Sequence, residues 1–538
     1  MKNLNQISKI ALILFLVFSC KKPTEGIDLI METDVFKSSV AIQFIDAKTG
    51  EQVGFDNSNQ KVKISILGED ASSIVNNVGT NKIEVDKGVI VLAVAKDVTP
   101  STSNPVKFRI IANANGYLTT SKNFTIVGES SNNYVVEMVK ISDTPKGVSA
   151  IESNIGNSSN GTTSNVSIST PTIDTDYEET KASVNIPQGT KLRDKNGNLI
   201  SGTINSTFVY FNNQDESSLN AFPGGLAGNT TEVGLENINF VTAGFVALEM
   251  ETGSGSKVKS FDTPIQMNIE IPENTFNNDG TIISDGMTLP IWSYDTETGL
   301  WSVESEQTIN YNSTTGKYEV SFEMEHLSYW NLDWHYPGGC SVGATITISS
   351  NITSNYIVST KLKYQNTGNY YYTWDASQNI KNGSSYTFLN AFPNVPMIVE
   401  FYASNSGCSG YGQGQTKIGE CVVSNLCSGN YTAYINYNPP SPISVSISAS
   451  CASNPGQIYI PSLYVYAKDV SCSYSYFKYI GYMSNGEFST NQLVQGRTYR
   501  FAVWYAWHWI EAPQDFTINQ SSYTYNQILP SDICAYIN

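Results

Sequence analysis

Ile265-Gln-Met-Asn-Ile-Glu-Ile271 and Tyr318-Glu-Val-Ser-Phe-Glu-Met324 carry an apolar residue at every second position. Side chains of an extended chain point alternately to opposite faces, so each segment is predicted to be a strand with one buried and one wet face. Ala182-Ser-Val-Asn-Ile186 repeats the pattern, while Thr207-Phe-Val-Tyr-Phe211 and Gly244-Phe-Val-Ala-Leu-Glu-Met250 are more continuously apolar. Strands of these kinds recur across residues 181–336, and a β-sandwich follows.

Outward from this segment the composition keeps the same character. The 538 residues include 32 Tyr and 22 Phe, and aromatics with abundant Ser, Thr, Asn and Gly favour strands and turns over helices. At about 150 residues per domain the length suggests three or four domains. The expected fold class is therefore all-β, a multidomain chain of β-sandwich modules of Ig-like or transthyretin-like kind.

The amino terminus supplies an address. Lys2 and Lys9 precede the unbroken apolar run Ile10 to Phe18, and Ser19-Cys20 is followed at once by Lys21, Lys22 and Pro23. This is the pattern of a bacterial lipoprotein signal, residues 1–19, with lipidation on Cys20. The run is too short for a helix that must cross a hydrocarbon core with about 20 residues. Several acyl chains on one residue give stable anchoring, so the expected location is an outer membrane, lipid-anchored on the periplasmic face or at the cell surface. The net charge of −17 becomes more negative by two when Lys2 and Lys9 leave. Such a body repels nucleic acid and anionic headgroups.

Residues 20–35 read as a tether. The first module, 36–142, opens with Val40-Ala-Ile-Gln-Phe-Ile45, continues through Asp46-Ala-Lys-Thr-Gly-Glu51, and carries a late Gly116-Tyr117. Strand, D-x-x-T-G-E turn and late G-Y resemble the transthyretin-like (carboxypeptidase regulatory-like) domain found on many surface proteins of Bacteroidota. The resemblance implies a spacer or stabiliser without activity of its own. Residues 143–180, rich in Ser, Asn, Gly and Thr, read as a flexible linker. Its acidic end, Asp174, Asp176, Glu178 and Glu179, reads as a solvated charge run rather than a calcium site. Asp194-Lys-Asn-Gly-Asn198 reads as a hairpin turn.

From residue 340 the chain repeats itself with a period near 110. Gly383-Ser-Ser-Tyr-Thr-Phe388 matches Gly496-Arg-Thr-Tyr-Arg-Phe501, Cys340 matches Cys451, and Cys427 matches Cys534. Two modules, 340–438 and 449–538, are expected on either side of a Pro439–Pro442 seam. The repeat predicts disulfides Cys340–Cys427 and Cys451–Cys534, leaving Cys408 with Cys421 and Cys472 free. With three histidines in the chain and no CxxC, neither a metal site nor a cofactor is expected.

Two constellations could carry chemistry. Trp292-Ser-Tyr-Asp295, then Gly299-Leu-Trp301, then Glu325-His-Leu-Ser328 resemble the autoproteolysis site of adhesion receptors and the sandwich domain of ankyrins, netrin receptors and zona-occludens proteins. The resemblance implies that His326 takes the proton of Ser328, whose oxygen attacks the Leu327 carbonyl. The receptors' clamping cysteines fall here on Leu289, Phe322 and Met324. The competing reading is an uncleaved last strand in which His326 and Ser328 make turn hydrogen bonds. The second constellation is aromatic: Trp374, Trp504, Trp507 and Trp509 could stack sugars, or fill a core. The run 501–510 is read as one buried strand with Trp504 and Trp509 on opposite faces. The functional expectation is a surface lipoprotein displaying binding or adhesive modules on a stalk, with no enzyme signature. Its partners would be the membrane through Cys20 and a glycan or another surface protein. Glycan capture for a polysaccharide uptake system and a purely structural envelope protein are the alternatives.

Overall fold

The structure, a computed structural model, describes residues 29–32, 36–77, 79–159, 161–232, 238–336, 342–389, 395–403, 415–452, 454–473, 475–505 and 508–529. Among these the chain is nearly all β, with one short α-helix, Glu216–Asn220. The strands form four units that share cores.

In the first unit Ser38–Asp46 lies between Ser130–Met138, which runs parallel to it, and Val89–Val94, which runs antiparallel. A second sheet of Lys63–Leu67, Val106–Asn113 and Thr120–Ile126 closes the sandwich. The D-x-x-T-G-E segment is the expected turn. Asp46 Oδ1 accepts the amides of Lys48 at 2.9 Å and Thr49 at 3.0 Å, and Gly50 takes the φ of 74° that the turn requires. Tyr117 of the late G-Y donates to Asp46 Oδ2 at 3.1 Å, so the two halves of the motif meet.

All nine residues of Ser38–Asp46 and all six of Val89–Val94 are buried, because both faces of this sheet are covered. Val40, Ile42 and Phe44 share a core with Phe108, Ile110 and Phe124. The other face, with Ser39 and Gln43, meets the fourth unit: Ser39 Oγ lies 2.9 Å from Tyr464 Oη, and Gln43 Nε2 donates to the Phe477 carbonyl at 2.7 Å. Tyr466 reaches Asn133 Oδ1 at 3.0 Å. First and last units are therefore packed together. The 20–35 tether is corrected accordingly, since Leu29–Glu32 pairs in parallel with Asn454–Ile460 of the fourth unit.

The second unit is the expected sandwich, of a six-stranded and a seven-stranded sheet. Ile265, Met267, Ile269 and Ile271 face Phe208, Tyr210, Val246 and Leu248 across its core. The 143–180 linker is overturned. Val148–Ser158 pairs along Gly202–Phe211, and Val166–Ser169 pairs with Ala182–Ile186, both as edge strands. An edge strand needs few apolar contacts, and Val148, Ile155, Ile168 and Ile173 supply them. Its hydroxyls bond backbone instead, as when Ser158 Oγ donates to Ile200 O at 2.9 Å. Two of the four acids of the run are in ion pairs: Asp176 with Lys146 at 2.6 Å and Glu178 with Lys317 at 2.7 Å. Asp194 closes the expected hairpin turn, accepting from Asn196 and Asn198 amides at 2.8 and 2.9 Å.

The third and fourth units share a topology. In each, the first strand (Val342–Ser350 or Ile443–Cys451) pairs in parallel with the last (Asn430–Ile435 or Ser522–Leu529). Each first strand also pairs antiparallel with a short strand, Ser385–Leu389 or Glu487–Thr490. The matching of segments expected from the repeat is corrected. Ser385–Leu389 is the counterpart of Glu487–Thr490, whereas Thr498–Tyr505 occupies the place of Met397–Ala403. Cys451 ends its strand, while Cys340 precedes the counterpart strand, so the basis for matching these cysteines disappears. Cys421 is free and buried, its thiol directed at the Thr432 carbonyl at 3.5 Å, and is not half of a Cys408–Cys421 bridge. Cys472, expected free, is disulfide-bonded, as are Cys427 and Cys451. Cys20, Cys340, Cys408 and Cys534 lie outside the described residues.

Candidate functional site

The Trp-rich hairpin is built as the sequence implies. Thr288–Asp295 and Leu300–Thr308 pair antiparallel, and Asp295 holds the turn by accepting from the Glu297 amide at 2.8 Å and the Thr298 hydroxyl at 2.9 Å. Trp292 and Trp301 are fully buried against Phe240, at ring distances of 5.2 and 4.7 Å. They serve the core shared with the third unit. Arg109 of the first unit donates to the Thr298 carbonyl at 2.6 Å and also to that of Glu297, fixing the hairpin tip against the first unit.

His326 ends the strand Lys317–His326, and Tyr329 begins the next. Between them Leu327 is tied down by its amide, which donates to the Lys259 carbonyl at 2.9 Å. The two reactive side chains diverge. Ser328 Oγ donates to the Tyr294 carbonyl at 2.6 Å, and His326 Nε2 lies 3.2 Å from Glu304 Oε1. Ser293 donates to the same carboxylate oxygen at 2.5 Å. The His326 hydrogen bond, opposed by partial burial and reinforced by Ser293, holds the Glu304 carboxyl below its ordinary value. Sequence reasoning named neither Glu304 nor Ser293. The only signal for them was the pairing register of the hairpin, which no local motif announces.

These residues border a polar cleft of about 880 Å³ that also takes in Glu249, Glu251, Lys257 and Lys259. Self-cleavage needs a nucleophile bonded to its base and a strained peptide. Here the Ser328 proton is committed to a backbone carbonyl, and among the described residues those with left-handed backbone other than glycine are Lys87 and Asn485, far along the chain. Both side chains are instead engaged across strands, Ser328 with Tyr294 and His326 with Glu304. Purified protein is accordingly expected to run as one full-length band on a denaturing gel after long incubation. Two bands that merge into one in Ser328→Ala would show that cleavage occurs.

Two of the four aromatic candidates, Trp504 and Trp509, are buried. Thr498–Tyr505 and His508–Glu511 form a hairpin in which Trp504 pairs with Trp509, so the run is not one strand and the two rings lie on the same face. Trp504 is 1% exposed and Trp509 9%. Trp509 packs on Phe477 and Tyr466, each at 5.1 Å, and on Phe55 of the first unit at 6.3 Å. Neither ring is open to a sugar. Trp507 and the Trp374 side chain lie outside the described residues.

The fourth unit holds a second space. Between its two sheets is a cavity of about 150 Å³ lined by Val445, Ile447, Val465, Phe501, Val503 and Ile518 among others.

No family model and no curated protein matches the chain. Among solved structures it is similar to the Bacillus anthracis TIE protein, at 8% identity over 72% of this chain and 75% of that one, with a TM-score of 0.13. A streptococcal ancillary pilin matches at 10% identity over 46% of this chain and 93% of its own, TM-score 0.13. The full-length major pilin RrgB from Streptococcus pneumoniae matches at 8% identity over 92% and 100%, TM-score 0.11. Likenesses this slight carry no functional argument.

Proposed function

We propose that the chain is a lipid-tethered protein of the cell envelope whose four β units act as one structural body, without catalytic turnover. The observation that supports it best is the seating of the fourth unit on the first. Tyr464, Tyr466, Trp504 and Trp509 are spent on the sheet around Ser38–Asp46, where a stalk of independent modules would leave that sheet face and those rings free. Two of the four tryptophans that would have favoured glycan capture, Trp504 and Trp509, are thereby used for assembly. Tethering rests on the signal-like residues 1–19 and Cys20. Among the described residues no helix is long and apolar enough to cross a membrane.

Cys20→Ala is expected to move the protein from the membrane fraction to the soluble fraction after a carbonate wash. Retention of the variant in the membrane would place the anchor elsewhere and remove this part of the proposal.

A further inference from the structure

We propose that the part-open apolar cavity in the fourth unit is a binding site for a compact, uncharged hydrocarbon group of about six carbons, the size that an apolar space of about 150 Å³ accepts. The cavity lies between the sheet carrying Ile443–Cys451 and Ser522–Leu529 and the sheet carrying Leu463–Asp469 and Thr498–Tyr505. Native cores are close-packed, and voids beyond the size of a water molecule are few. Water does not substitute as the occupant, since it needs two to four polar partners, and the walls are the side chains of Val445, Ile447, Val465, Phe501, Val503 and Ile518. The Tyr523 hydroxyl does not serve either, being bonded to the amides of Asn519 and Gln520 at 2.8 and 2.9 Å.

The lining also sets the charge of the ligand. Its polar members include Glu511, half-buried, and Thr524, exposed. A carboxylate among the lining residues of an acidic protein repels a fatty-acid anion and tolerates a neutral group, which is selectivity by an unfavourable contact. The site is therefore suited to an alkyl or acyl chain end with an uncharged head. This holds whether or not the chain is membrane-tethered, because the cavity is formed wholly by the fourth unit.

The test uses two probes of equal length, n-hexanol and hexanoate, added to the purified full chain at pH 7 in a calorimeter. Hexanol is expected to raise the fourth unit's melting temperature saturably, by about 2–4 °C, while hexanoate leaves it unchanged. Val465→Phe and Ile447→Phe fill the cavity from opposite sheets, and whichever folds should melt no lower than the wild type and show no response to hexanol. Absence of a saturable rise in the wild type, an equal rise with hexanoate, or a full response in a folded filled variant would overturn the proposal.

Discussion

Trp504→Ala is expected to lower the free energy of unfolding by about 3–5 kcal/mol, the usual cost of emptying a large aromatic site in a core. The indole is 1% exposed and packs in the core that joins the fourth unit to the first. Its loss therefore weakens an interface as well as a sandwich. Chemical denaturation should show an early transition, and limited proteolysis should cut between units before either unit unfolds. Among the described residues the indole N–H has no hydrogen-bond partner, so Trp504→Phe removes a buried donor that costs about 1–3 kcal/mol to leave unmet. That variant should stay within about 1.5 kcal/mol of the wild type. Equal losses in both variants would mean that a smaller aromatic ring does not restore the packing and that the full indole volume is needed there.

Trp301→Ala should cost a similar amount, about 3–5 kcal/mol, at a different junction. Trp301 is fully buried, with Phe240 at 4.7 Å and Tyr294 at 4.8 Å, in the core shared by the second and third units. Gly228 lies so close that a Cβ there would sit 2.9 Å from the indole, and so Gly228→Ala should reproduce part of the loss by overpacking, about 1–3 kcal/mol. Thermal unfolding of both variants checks this. If Gly228→Ala were neutral, the indole would be free to move and Trp301 would not be the fixed centre of the junction.

What the sequence disclosed followed from local physics. Period-two alternation revealed Ile265–Ile271 and Tyr318–Met324 because one face of each meets a core. The turns at Asp46 and Asp194 were legible because a carboxylate capping amides leaves a composition signature. The strand Ser38–Asp46 was legible, but not its partner: Ser39 and Gln43 carry hydrogen bonds to Tyr464 and Phe477. A partner hundreds of residues away leaves no trace in a local window. Residues 148–158 failed for the opposite reason, since an edge strand satisfies its Ser and Asn side chains against backbone and so resembles a linker. The hairpin between Trp504 and Trp509 was hidden because an aromatic run reads equally well as one strand.

The site was legible as a motif and not as a geometry. Trp292, Asp295, Gly299, Trp301 and the His326–Ser328 segment come together as the resemblance implies. The orientation of His326 depends on Glu304, whose position is set by the pairing of two strands. Nothing near His326 in the chain announces that carboxylate. In place of the clamping cysteines, Leu289, Phe322 and Met324 are buried apolar residues of the second core, which hold the sheet without covalent strain.

Closure of the first unit on the fourth sets the dimensions of the whole particle, which small-angle X-ray scattering of the purified chain reads. A closed body predicts a radius of gyration a few ångström above the ~24 Å of an ideally compact chain of this length, and growth of the particle in Trp504→Ala. A wild-type particle that scatters as a string of separate modules, with the same dimensions in Trp504→Ala, would contradict it.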